Sequence, residues 1–215
     1  MTRVFSWMTF GLLITAIVAY VVGNDPALIR SLLGGGLSVG AIFILQFGLV
    51  LFMSFGINKM SVATATFCFL LYSFTMGITT SVIYMVYTSE SISQIFLITA
   101  AMFAGLAFYG AVTKKDLSGF GTFLFMGLLG GLVATVINFW VHSSGLNMIV
   151  SYLFVFIFAG LTVYDTQRIK SFARMGDTES DVAHKMAIMG ALALYLDFIN
   201  LFLQLLRLMG DRRRN

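Results

Sequence analysis

The sequence predicts an all-α membrane protein, a bundle of seven transmembrane helices with the last helix central, and three observations predict it. Hydrophobic residues make up 59% of the chain and charged residues 10%, with a mean hydropathy of +0.95. That is more apolar side chain than a water-facing surface carries. The apolar residues fall in runs of roughly 20, the length an α-helix needs to cross a hydrocarbon core of about 30 Å. The 215 residues hold about seven such runs joined by short polar connections. Long continuous runs exclude a β-barrel, whose strands alternate. One proline and 21 glycines suit packed membrane helices, where small residues let backbones approach. We read residues 1–215 as a single seven-span membrane domain whose solvent is the lipid bilayer.

Each span has its own signals. Phe5 to Gly23 is uncharged, and it is too long for a signal-peptide core and lacks a small-x-small cleavage site. Asn24-Asp25-Pro26 makes a turn, Arg30 follows, and span two runs from Leu32 to Phe55 with a glycine-rich start and Lys59 after its end. Span three covers Val62 to Tyr87 and is rich in threonine and serine; Thr88-Ser89-Glu90-Ser91 is the next loop. Span four is Ile95 to Val112. The loop Thr113 to Ser118 leads to span five, Phe120 to Trp140, with Asp116 or Ser118 as its N-cap. His142 to Gly145 form a short loop, and span six starts near Met148 and ends around Arg168 to Arg174, where Gly176 suits a helix C-terminus. Thr178-Glu179-Ser180-Asp181 fits a capping box opening the last helix, which runs to Met209.

Basic residues near span ends set orientation. With the N-terminus inside, the inner segments collect Arg3, Lys59, Lys114, Lys115, Arg168, Lys170, Arg174 and Lys185, while the outer loops between spans hold Arg30. The tail Arg212-Arg213-Arg214 opposes this pattern. Either it is translocated after a full seventh span, or the last segment is re-entrant and the tail returns inside. The net charge of +4 lies mostly in loops, where it sets orientation and does not select nucleic acid. Cys68 is the single cysteine, so neither an intramolecular disulfide nor a CxxC metal site exists.

Ionisable side chains within a bilayer are costly, about 2.5 to 3.5 kcal/mol on insertion scales, so an intramembrane aspartate is a functional candidate. Asp165 lies near the inner end of span six and Asp197 midway along span seven. Around Asp197, the residues Gly190, Ala193, Asn200, Gln204 and Arg207 recur at the period of one helix face, and the other sides are Leu, Ile, Phe and Tyr. Such a stripe belongs against other helices, lining either a tight packing seam or a narrow hydrated path. Asn200 and Gln204 are its candidate ion-path residues. Counting rise from the Gly176 turn puts the two aspartates about 12 Å apart in depth if the helices run straight and antiparallel.

The stretch Ala191 to Phe202, the Tyr164-Asp165-Thr166-Gln167 motif and the Lys114-Lys115-Asp116-Leu117-Ser118 loop together resemble the transmembrane Bax-inhibitor-motif family, in a bacterial-type member. The resemblance covers the whole chain. It implies a pH-sensitive calcium leak in which the aspartates of spans six and seven, here Asp165 and Asp197, share a proton and control closure. It also implies a cationic latch at the inner end of span two, where this chain has Lys59 in place of an arginine; lysine lacks the planar bidentate fork. Two neighbouring carboxylates cannot both ionise cheaply, so such a pair titrates as a unit. When the proton leaves, two charges repel and oxygen ligands of the kind calcium needs are exposed, which makes Asp165 and Asp197 the candidate calcium ligands.

Plainer roles stand beside these. Asp165 can pair with Arg168 or Gln167, Lys59 can serve as an interface anchor, and Asn200, Gln204 and Arg207 can pack or snorkel. Gln46, Asn138 and the span-three threonines are expected to bond between helices. His142 and His184 suggest no metal site, and the methionines are apolar filler. The leading function is an ion-permeable leak with calcium as the permeant ion and no other cofactor. The alternative is a non-transporting regulator of membrane proteases or of stress and cell-death machinery. No enzyme is expected. An intramembrane aspartyl protease needs Gly-x-Gly-Asp and Pro-Ala-Leu, whereas Asp197 follows Leu194-Tyr195-Leu196 and the single proline is Pro26. A retinal receptor needs a Schiff-base lysine in the interior of the last helix, which has none. Short tails without a retention signal fit a bacterial plasma membrane, with a eukaryotic endomembrane as the alternative.

Overall fold

Hydrocarbon offers no partner to backbone N–H and C=O groups, so each apolar run must satisfy its own by coiling. A computed structural model describes residues 1–175 and 180–213, the side chains of residues 36–38 and 173–175 excepted. Its helices are α1 (Thr2–Gly23), α2 (Pro26–Leu33), α3 (Gly36–Gly56), α4 (Val62–Thr80), α5 (Ile83–Val86), α6 (Ser89–Val112), α7 (Ser118–Val141), α8 (Ser144–Met175) and α9 (Asp181–Met209). Among the described residues seven stretches are long and apolar enough to cross a membrane, the third formed by α4 and α5 together. The last is the most internal: 67% of its most apolar stretch is buried, against 17% to 44% for the other six.

Several boundaries differ from the sequence expectation, each for a local reason. The connection after α1 is not a bare turn, because Asp25 accepts from the N–H groups of Ala27 and Leu28 at 2.8 and 3.3 Å and Pro26 opens α2. Span three breaks after Thr80, where the Thr80 and Ser81 hydroxyls donate to the carbonyls of Met76 and Ile78, both at 2.7 Å. Such back-bonding competes with the helix ladder. α6 starts at Ser89 rather than Ile95, with Glu90 in its first turn. Neither Asp116 nor Ser118 is the N-cap of α7: that position is Leu117, with no side-chain cap, and Asp116 before it accepts from the Ser118 N–H at 2.9 Å and its hydroxyl at 2.6 Å. Asn138 does not bond between helices. Its Oδ1 accepts from the Ser143 N–H at 3.0 Å, closing the end of its own helix where His142 turns left-handed at φ 52°. Gln46 does reach across, donating to the Thr79 hydroxyl of α4 at 3.1 Å. Gly176, Thr178 and Glu179 lie outside the described residues; at α9 the described cap is Ser180, whose hydroxyl accepts from the Ala183 N–H at 3.3 Å.

By its contacts the chain divides into two compact units, the first comprising Met1–Ser89, Met175–Tyr195 and Arg212–Asn215 and the second Glu90–Arg174 and Leu196–Asp211. The first unit is built on α1 against α4. At its centre Tyr195 is fully buried, edge-on to Phe69 and Tyr72, with its hydroxyl 2.6 Å from that of Thr15. The Thr15 hydroxyl also has the carbonyls of Ser73 at 2.8 Å and Gly11 at 3.0 Å as acceptors. The second unit packs Phe96 and Phe103 edge-on to Phe198 of α9. Glycines let its helices close up: a Cβ at Gly121 would run into the Tyr164 ring, and one at Gly110 would overlap the Val163 carbonyl and lie 3.0 Å from the Thr166 Cβ.

The ends of α9 decide between the two readings of the tail. At its start the Lys185 ammonium donates to the carbonyls of Asn58 and Met60, at 3.3 and 3.2 Å, in the turn between spans two and three. At its other end the Asp211 N–H donates to the Ser91 hydroxyl and the Arg213 N–H to the Val86 carbonyl, both at 2.9 Å. Ser91 and Val86 flank the connection between spans three and four. The last helix is therefore a full traverse, and Arg212 and Arg213 lie on the face opposite Lys185.

Candidate functional site

A carboxylate inside a membrane protein needs a proton, a cation or a set of donors beside it. Asp197 on α9 is 4% exposed and its Oδ2 has no hydrogen-bond partner. Asp165 on α8 is half-buried. Asp197 lies within electrostatic range of Asp165, and Asp165 within range of the opposite charge of Arg168. Asp165 stands ten residues before the end of α8 at Met175, and Asp197 sixteen residues after the start of α9 at Asp181. The depth difference is then about 9 Å for straight antiparallel helices, less than the distance counted from Thr178, because α9 starts later.

Around this pair the stripe on α9 divides. Asn200 spends an amide hydrogen on its own helix, donating to the Leu196 carbonyl at 2.8 Å. Gln204 is 9% exposed with its Oε1 unpartnered, and Arg207 is exposed. On α8 the Thr162 hydroxyl bonds back to Phe158 at 2.8 Å, whereas the hydroxyls of Thr166 and Ser151 are fully buried without partners. A buried oxygen left unpaired costs about 1 to 3 kcal/mol. Lys59 is exposed in the turn after α3, and it is Lys185 that holds the carbonyls of that turn. His184 has its Nε2 3.4 Å from the Arg3 guanidinium. Among the described residues no three His, Cys, Asp or Glu side chains gather as ligands. A calcium ion at this pair would therefore draw on two carboxylates completed by amide, hydroxyl or water oxygens.

Sequence reasoning missed Ser151 and Thr166, although they lie 15 residues apart on α8, which at 3.6 residues per turn returns to within roughly 60° of one face. It also missed what joins two of its motifs. Gln167, two residues after Asp165, accepts from the Leu117 N–H at 3.2 Å and donates to the Lys115 carbonyl at 2.7 Å, and Lys170 donates to the Ala111 carbonyl at the end of α6. The loop between α6 and α7 is thus clasped to the inner end of α8. A glutamine with both amide ends committed to one backbone segment is a signal that spacing alone does not carry.

A family model described as inhibitor of apoptosis-promoting Bax1 matches residues 1–214. The chain is similar to the inner membrane protein YbhL of Escherichia coli K12, 46% identical over 214 residues that cover 99% of this chain and 92% of that protein. It is also similar to a protein of Borreliella burgdorferi, 44% identical over 215 residues covering 100% and 93%. A membrane protein of Streptococcus pyogenes serotype M6 is 37% identical over 162 residues, 75% of this chain and 70% of that protein.

Proposed function

This chain belongs to the Bax inhibitor family, and on that premise we propose that it is a pH-sensitive, calcium-permeable leak of the bacterial inner membrane, gated by Asp165 and Asp197. The inner-membrane location rests on the seven spans and on the name of the E. coli relative. One observation supports the gating: the buried carboxylate of Asp197 on α9 keeps an unpartnered oxygen, within electrostatic range of Asp165 on α8. In the closed state the two share one proton, which removes their repulsion and the cost of two charges in low dielectric. Loss of that proton leaves two like charges that push α8 and α9 apart and offers oxygens to a divalent cation. Acidic side chains along the path also favour cations over anions.

Calcium flux into liposomes holding the purified protein should rise from acid toward neutral pH. Asp165→Asn and Asp197→Asn should each flatten that profile, because an amide still hydrogen-bonds a carboxylate but releases no proton. Asp197→Asn should also lower conduction, since Asp197 is the more buried and centres the stripe with Asn200 and Gln204. A pH profile that survives both substitutions would sink the shared-proton gate.

A second reading is a regulator of membrane proteases or of stress or cell-death machinery that conducts nothing, and the family description supports its cell-death part. Wild-type protein that passes no calcium at any pH would favour it.

A further inference from the structure

Basic residues of the second unit gather at one end of it. α6 ends at Val112, α7 begins at Ser118 and the apolar stretch of α8 closes at Phe172, so Lys114, Lys115, Arg168 and Lys170 all stand at the inner limit of their spans. Hydrogen bonds hold this end together. Gln167 grips the loop at the Lys115 carbonyl and the Leu117 N–H, at 2.7 and 3.2 Å, and the Lys170 ammonium donates to the Ala111 carbonyl. The four charges are thus carried by one loop and one helix end whose backbones are tied to each other.

Little of that charge is used within the protein. Among the described residues no hydrogen bond or ion pair reaches the exposed ammonium groups of Lys114 and Lys115. Lys170 gives one N–H to Ala111 and has others to spare. The exposed Arg168 guanidinium lies 5.6 Å from the centre of the Phe172 ring, which is itself exposed. Of the neighbouring carboxyls, Asp116 receives both Ser118 donors on one oxygen, and Asp165 is half-buried three residues before Arg168. Four cations against two carboxylates leave this end positive even when both are ionised.

Orientation in the membrane asks only that basic residues lie inside. It does not ask that their backbones be clasped together beside exposed apolar side chains, as they are here by Val112 and Phe172. Positive charge at the headgroup level and apolar surface at the ends of the spans match the two parts of a phospholipid. We propose that the inner end of α6, α7 and α8 is a binding site for an anionic phospholipid, its phosphate met by Lys114, Lys115, Arg168 and Lys170 and an acyl chain lying along Val112 and Phe172. Ammonium and guanidinium donors make charge-assisted hydrogen bonds to phosphate. A lipid of net negative charge gains from all four, whereas a zwitterionic lipid brings an ammonium of its own that they repel. The site stands apart from the aspartate gate and does not depend on conduction.

The test is lipid binding by the delipidated full chain in neutral detergent, titrated with dioctanoyl phosphatidylglycerol or the matching phosphatidylcholine and read by native mass spectrometry. Phosphatidylglycerol should bind at least about fivefold more tightly. Lys114→Gln with Lys115→Gln should weaken it by about fivefold for each charge removed and leave phosphatidylcholine unchanged. Arg212→Gln with Arg213→Gln removes the same charge from the opposite side, well beyond a screening length, and should change affinity by less than about twofold. Equal affinity for the two lipids, or equal loss in the two double variants, overturns the site. Glycerol 1-phosphate, the headgroup chemistry without acyl chains, should not displace the lipid at equal concentration; displacement would replace the lipid by a soluble phosphate. Should the lysine variant not fold, amine acylation of the unsubstituted protein reads the same point. The reactivity of Lys114 and Lys115 relative to Lys59, an exposed lysine of the first unit, should fall several-fold from phosphatidylcholine vesicles to phosphatidylglycerol vesicles. An unchanged ratio overturns the proposal.

Discussion

Asp116 sits at the membrane surface, where Ser118 donates its N–H and its hydroxyl to one carboxyl oxygen, and these bonds hold the carboxyl below its ordinary value of 3.8. A carboxylate depressed in the folded state stabilises the fold above the unfolded value, and that contribution disappears as pH falls through the lower folded value. Its window thus lies at and below 3.8, and Asp116 stays ionised from about pH 5 to 7. Asp116→Asn should leave the pH profile of calcium flux unchanged in that range; a displaced profile would move the sensor from the bilayer to the surface loop. Lys59 is exposed, and an exposed ammonium on a flexible stem makes a poor latch. Lys59→Ala is expected to change closed-state leak by less than about twofold, read as calcium efflux at acid pH, and a channel locked open would assign the latch to this lysine after all. Asp165 and Asp197 were legible in sequence because a charge inside an apolar run is conspicuous. Ser151, Thr166 and the buried Tyr195 were not, because a hydroxyl announces nothing until its partner, or the lack of one, is known.

At the scale of elements, the clasp of Gln167 on Lys115 and Leu117 explains why the loop motif and the span-six motif occur together: one side chain substitutes for a missing stretch of secondary structure. Gln167→Ala removes two hydrogen bonds and should cost about 1 to 3 kcal/mol, seen as a lower melting temperature in detergent with faster proteolysis between α6 and α7. An unchanged melt would mean water takes over both bonds. Gly110 allows α6 to touch the backbone of α8 at Val163, so Gly110→Ala must spread that contact and should destabilise by about 1 to 3 kcal/mol. A control at Gly105, where added bulk meets open space, should melt like the wild type. Span number and most span limits followed from run length, since the bilayer fixes how much apolar helix is needed. The break after Thr80 and the short helix α2 escaped, because back-bonding hydroxyls and an eight-residue helix leave no mark on hydropathy.

For the whole molecule, the tail bonds at Val86 and Ser91 predict sidedness. With Cys68 removed, a cysteine at 212 should label from the same side as one at 89, and one at 115 from the opposite side; labelling of 212 together with 115 would restore the re-entrant reading. Basic-residue counts left this open, since three arginines argued against eight basic residues elsewhere. A few backbone hydrogen bonds resolve what charge statistics could not. Helix α9 supplies Ile188 to Tyr195 to the interior of one unit and Phe198 to Leu206 to that of the other, and in chain order it follows every other helix. On a translating ribosome, six helices must therefore wait in the membrane with both interiors unfilled until the seventh is threaded. A message cut short before Asp181 would yield a polypeptide lacking the buried residues that α9 supplies to both units. The order of synthesis makes the last helix a check on the completeness of all that preceded it.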